Sequence, residues 1–157
     1  MLSESARMRS AAEARFRVQA PNSTPRAIKM IALDAAGETV VRRVATAGWN
    51  HATFFIAAPG DELSDLDGHR RSVTGEVDTA DLVVLVAGPG GDAGAAPAIG
   101  QACSLRRVMT TGFIVGAMSA SEKALSKTLA QLRPWSLMVV IAESDDYIDD
   151  MMTALRA

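Results

Sequence analysis

The chain has a single cysteine, Cys103, and two histidines, His51 and His69, in 157 residues. One thiol excludes an internal disulfide and any cysteine-based zinc cluster, and it fits a reducing cytoplasm, the location expected for this protein. Neither histidine has a second ligand at metal spacing or a neighbouring nucleophile and base, so neither a metal site nor a catalytic triad is indicated. Charge of one sign is lacking as well. Sixteen Lys and Arg stand against 18 Asp and Glu, a net charge of −2. That balance gives no electrostatic case for nucleic acid or an anionic membrane as partner. Long apolar runs are missing too: residues 82–87 and 137–142 are the longest, far too short to cross a bilayer, and no membrane insertion is expected. The first residues carry Glu4, Arg7, Arg9, Glu13, Arg15 and Arg17 without an apolar stretch, unlike a secretory signal.

What is present is a core. With 48% hydrophobic and 22% charged residues, the chain has the balance of one globular domain. Residues 1–26 read as an N-terminal helical or flexible segment whose apolar positions are mostly alanine, ended by the PNSTP of residues 21–25. Apolar strands are expected at 27–33, 53–57, 82–87, 108–115 and 137–142. Helices are expected after Gly37, where Val40, Val41 and Val44 have helical spacing, and at 94–107, 121–132 and 145–156. Ser119 or Ser121 would cap the third of these. The polar stretch 59–78, punctuated by Gly60, Gly68 and Gly75, reads as a loop with one helical turn at 61–66. Strands apolar on both faces that alternate with helices are the mark of a buried parallel sheet, with right-handed crossovers. The expectation is a three-layer, Rossmann-like α/β domain over residues 27–157, with a mostly parallel five- or six-stranded sheet and helices on both faces.

The stretch around which this order is built is VVLVAGPGGDAGAAP, residues 83–97. It reads as strand, Gly-rich turn and helix N-terminus, the junction at which α/β proteins hold anions on free N–H groups. Gly88, Gly90, Gly91 and Gly94 would either cradle a ligand or simply permit the turn. Asp92 reads as the N-cap of the following helix.

Taken in order, these pieces resemble the nucleotide-binding half of the FtsZ/tubulin family. IKMI at 28–31, then Ala36-Gly37 and Val41-Arg42-Arg43, is similar to the family's first strand, glycine-rich loop and helix. FIAAPGDEL at 55–63 stands at its second strand, and AGPGGDAGAAP at 87–97 looks like a shortened signature loop. SLMVVIAESDD at 136–146 stands at the strand that leads into the central helix. The resemblance implies a GTP or GDP site with Mg²⁺, formed by Ala36, Gly37, Gly88, Gly90, Gly91, Asp92, Gly94 and Ala95, with Glu143 and Asp145 bracketing a base-reading position. A carboxylate there can accept from the guanine N1–H and N2–H₂ edge, and it also suits a helix N-terminus.

The departures shape the functional expectation. Asp34, Glu38 and Asp92 enter loops that the family keeps glycine-rich, and they oppose phosphate unless a divalent cation bridges them. No second domain with a catalytic loop follows before Ala157, so no catalytic residue is expected. The leading reading is a non-hydrolysing regulatory or self-associating interaction protein, a homo-oligomer or the partner of another protein, with weak or lost GTP binding. A genuine Mg²⁺-assisted GTP/GDP module is the first alternative. A small Rossmann-like enzyme with another ligand in the same crevice is the second, although the first loop lacks the G-x-G-x-x-G of dinucleotide sites.

Several residues read as structure. Thr39 packs or caps, Cys103 is a small buried apolar group, and the arginine pairs 42–43 and 106–107 face solvent on helices. The acidic and basic residues of 61–71 lack the spacing of a calcium loop. Trp49 and Trp135 close the ends of helices, or belong to a self-association surface.

Overall fold

The computed structural model describes residues 25–144 and 146–157. The segment expected at 1–26 therefore lies almost wholly outside the described residues, as does Asp145.

Five apolar strands form the centre: β1 (Ile28–Ala32), β2 (Ala52–Ala57), β5 (Leu82–Ala87), β6 (Met109–Val115) and β7 (Met138–Ala142). They are the five strands expected from the sequence, and all run parallel, β1 between β2 and β5, with β6 and β7 beyond. Alternation along each strand divides its side chains between two faces. Ile31, Val83, Leu85 and Ile114 enter one core layer, and Ile28, Met30, Val84, Val86 and Phe113 enter the other. Burial of each such side chain contributes about 1.5–3 kcal/mol, which is why strands apolar on both sides settle in the middle of a three-layer domain.

Helices cover both faces. α1 (Ala35–Ala45) and α5 (Asp146–Ala154) close one layer through Val41, Val44, Ile148 and Met152. The opposite layer is closed by α2 (Val73–Asp78), α3 (Ala96–Leu105) and α4 (Glu122–Leu132), through Val77, Ile99, Cys103 and Leu132. Ser121 caps α4, its hydroxyl accepting from the Ala124 N–H. Burial raises the pKa of the Cys103 thiol, in keeping with a packing role. Lys29 points from β1 into the α2 side and reaches Glu76 at 3.0 Å, both side chains largely covered.

Two expectations are corrected. The stretch 59–78 is not a loop with a helical turn. It forms an antiparallel hairpin, β3 (Glu62–Asp65) and β4 (Arg70–Ser72), and then α2. The hairpin extends the sheet beyond β2, giving seven strands in the order β4-β3-β2-β1-β5-β6-β7. Leu63 is its one fully buried anchor, while the turn closes at Gly68 with φ 92°. The second correction concerns the first helix, which starts at Ala35 rather than after Gly37. Ala36 and Gly37 therefore lie in its first turn and not in a loop. Arg106 and Arg107, likewise, follow the last residue of α3; Arg106 pairs with Asp78.

Candidate functional site

Strand order reverses between β1 and β5: the chain moves from β1 outward to β2 on one side and from β5 outward to β6 and β7 on the other. The crevice beyond the carboxyl ends of two such strands is where open α/β sheets place ligands. Here it lies between Leu33-Asp34, after β1, and Gly88, after β5.

Asp34 fills that crevice. Its backbone is extended, which makes it the N-cap of α1, and its Oδ1 accepts from the Gly37 N–H at 2.8 Å. The same carboxylate accepts from the Gly88 N–H, at 3.2 Å to Oδ1 and 3.0 Å to Oδ2. Gly91 closes over it, so tightly that a Cβ there would sit 2.0 Å from Oδ2. Gly88 meets the first helix, where its Cβ would be 2.6 Å from that of Ala36. Gly37 rests against β5, with a Cβ position only 2.2 Å from the Val86 carbonyl oxygen. Ala36, Gly37, Gly88 and Gly91 are thus brought together, around a carboxylate of the protein itself.

The remaining loop residues face elsewhere. Gly90 has φ 76°, and its N–H donates to Thr128 Oγ1 on α4 at 2.8 Å. That hydroxyl in turn donates to the Gly88 carbonyl at 3.3 Å. The Ala93 N–H reaches Gln131 Oε1 at 3.4 Å, and the Gly91 N–H reaches the Gly88 carbonyl at 3.5 Å. Asp92 is not the N-cap of α3: the cap position is Ala95, without a side-chain bond. Its Oδ1 instead accepts from the Gly94 N–H at 2.9 Å, a turn within the loop. Pro97 near the start of α3 removes one of the donors a helix N-terminus normally offers.

A cleft of ≈ 620 Å³ opens beside this crevice, between the β2–β3 turn and the start of α3. Leu33, Pro59, Gly60, Gly94 and Ala95 line it, together with Asp61 and Asp92, and among the described residues no basic one does. Glu38, expected to face the same region, pairs with Arg42 on α1 at 3.0 Å. Thr39 bonds back to the Ala35 carbonyl at 3.2 Å, as a packing residue does. Glu143 is exposed beyond β7, and β6 separates that strand from β5. It joins none of the contacts around Asp34.

The sequence placed Asp34 at the site as a charge opposing phosphate but not as the cap that ties the two loops together, and Thr128 and Gln131 were missed altogether. Asp34 carried a signal, an acid immediately before a helical pattern. Thr128 and Gln131 carried none, because their role depends on how α4 lies against a loop 38 residues earlier.

Among the described residues, Asp65, Asp67 and His69 form a cluster with ligand atoms within 4.8 Å of one another. It is the turn of the β3–β4 hairpin, and Asp65 already accepts from both neighbouring N–H groups at 2.9 Å.

No family model matches the chain, and no curated protein sequence matches it either. Among solved structures it is similar to an empty FtsZ dimer from M. jannaschii, with TM-score 0.57 and 13% identity. The likeness covers 99% of this chain and 55% of that one, so the chain spans about half the length of its structural neighbour. At that identity the likeness is one of fold: an α/β domain with an FtsZ-like fold. No described helix is long and apolar enough to cross a membrane.

Proposed function

We propose that this domain is a non-hydrolysing interaction protein on an FtsZ-like fold, self-associating or regulatory, with GTP binding weak or lost. The observation that carries the reading is the Asp34 carboxylate, held between the Gly37 and Gly88 N–H groups. Those are the kind of backbone donors an anion would need at this crevice. A fixed carboxylate takes the donors and sets a like charge against any phosphate. The loop's other donors support the same reading, since those of Gly90, Ala93 and Gly94 are turned to Thr128, Gln131 and Asp92. The acidic lining of the neighbouring cleft adds to it. The residues present thus fit a polyphosphate poorly, and no chemical step is assigned to one.

Isothermal titration with GTP and GDP, with and without Mg²⁺, tests the reading. The expected result is no binding heat for the wild type and a measurable gain for Asp34→Gly. A wild-type Kd near 1 µM, about −8 kcal/mol, overturns it.

A second reading is favoured by one observation, the two acidic residues Asp61 and Asp92 on the lining of the same cleft. Mg²⁺ held there would neutralise both and carry a nucleotide phosphate. GTP binding abolished by EDTA and by Asp92→Ala is its signature.

A further inference from the structure

The sheet has two unlike edges. β4 is three residues long and exposed throughout, and two of its residues are Arg70 and Arg71. Short, charged edges resist pairing with another chain. The opposite edge, β7, has the sequence MVVIA, without a charge, and among the described residues nothing pairs with its outer side. Leu137, Met138 and Ile141 are 77%, 52% and 47% exposed along it. An open, apolar edge is a template for a further strand.

We propose that β7 pairs antiparallel with β7 of a second copy of this chain, joining two sheets about a two-fold axis. The inference rests on the self-associating side of the reading above and assigns it a surface.

The backbone selects the register. The Leu137 N–H donates inward to the Thr110 carbonyl at 2.8 Å. Alternate residues of a strand turn their polar groups to opposite sides, so Met138 and Val140 present theirs outward. The Ala142 carbonyl is already taken by the Gly116 N–H at 3.2 Å. Pairing Met138 with Val140 of the partner subunit uses the outward groups of both strands in two reciprocal pairs. A register centred on Val140 leaves only one such pair. In the favoured register Leu137 lies opposite Ile141 of the partner subunit, so exposed apolar side chains cover one another.

Charge selects a second copy over an arbitrary strand. Arg107, just before the parallel neighbour β6, and Arg133, in the turn that leads into β7, are exposed on the amino-end side of these strands, and Glu143 and Asp146 are exposed beyond the carboxyl end of β7. Antiparallel pairing sets the basic end of each copy against the acidic end of the other; parallel pairing sets like against like. The edge is complementary to itself in one orientation only.

The test uses the full chain. Sedimentation velocity is expected to show a wild-type dimer at about 100 µM, a concentration that detects even weak association. The double variant Met138→Lys/Ile141→Lys should weaken the dimer at least tenfold while the far-ultraviolet dichroism stays unchanged. Should that variant fail to fold, a second one decides. Leu137 and the partner's Ile141 form a non-hydrogen-bonded pair, with Cα atoms near 4.5 Å and within disulfide reach. Leu137→Cys/Ile141→Cys, oxidised with diamide, should therefore run as a linked dimer on a non-reducing gel, and each single variant should not. The buried Cys103 stays out of the reaction. A monomeric wild type overturns the proposal, and so does a dimer that neither weakens with the lysines nor cross-links through the cysteine pair. Failure here is separable from failure of the nucleotide reading: a monomer that binds no GTP removes only the edge pairing, and a cross-linked dimer that binds GTP tightly removes only the filled crevice.

Discussion

The Asp34 carboxylate and the Gly88 N–H lie 3.0 Å apart, bridging the ends of β1 and β5 at the point where strand order reverses. A bond that spans this crevice does locally what a bound anion does in other α/β folds: it satisfies loop donors that would otherwise be buried without partners. Asp34 is therefore expected to matter for stability.

Asp34→Ala removes an N-cap, at a cost of about 1 kcal/mol, and leaves the buried Gly88 N–H unpaired, at a cost of about 1–3 kcal/mol. Urea unfolding should show a loss of about 2–4 kcal/mol in total. Asp34→Asn keeps a capping oxygen and should lose less than half as much. An alanine variant as stable as wild type would remove Asp34 from this role.

Two glycines of the site should respond to alanine to very different degrees. At Gly37 the new Cβ would meet the Val86 carbonyl oxygen, backbone of the central strand, at 2.2 Å. Neither helix α1 nor β5 can yield without disturbing the core, so Gly37→Ala should cost about 3 kcal/mol. At Gly94 the clash is with Asp92 Oδ1 at 2.8 Å, the end of an exposed side chain that can rotate away. Gly94→Ala should change stability by less than about 1 kcal/mol. Thermal melts of the pair, compared side by side, check the difference.

Thr128 is completely buried and serves the loop after β5 twice, accepting from Gly90 and donating to Gly88. Thr128→Val keeps the shape but takes from the Gly90 N–H its acceptor and from the Gly88 carbonyl one of its two donors, for an expected loss of about 2 kcal/mol. Thr128→Ser keeps the hydroxyl and gives up a methyl, about 1 kcal/mol or less. Equal losses for the two variants, measured by denaturant unfolding, would mean that the methyl rather than the hydroxyl matters.

The five parallel strands were legible because the Val, Ile and Leu runs are apolar on both faces, as in LVVLVA at β5. The hairpin was not, since its strands ELSD and RRS are edge strands with few residues to bury. One signal was there: Asp67-Gly68 is a hairpin-turn dipeptide, hidden among flanking polar residues that do not alternate. The site was legible as a place and not as an arrangement. AGPGG announced a strand-to-helix turn, and Asp34 announced an obstacle to phosphate. That Asp34 ties two loops together depends on β1 and β5 being neighbours, a contact between residues 54 apart in sequence.

The hairpin turn carries a pH dependence whose sign follows from Asp65. Its Oδ1 accepts from the His69 and Asp67 N–H groups, both at 2.9 Å, and its Oδ2 lies 3.1 Å from His69 Nδ1. The backbone bond from His69 is the largest influence holding this carboxyl below the usual carboxylate range, with the Asp67 bond and the His69 ring adding to it against a smaller opposing effect of desolvation. A carboxyl depressed on folding stabilises the fold fully above its unfolded pKa, about 3.9, and loses that contribution as pH falls through the lower folded value. Titration of the Asp65 carboxyl carbon by NMR should therefore give a midpoint below that of a free aspartate, and the Gly68 amide should shift in parallel as the turn loosens. Asp65→Asn keeps one acceptor for the turn and should abolish the acid-dependent shift at Gly68. A midpoint at the ordinary value would mean that the bonds closing the β3–β4 turn do not persist in solution.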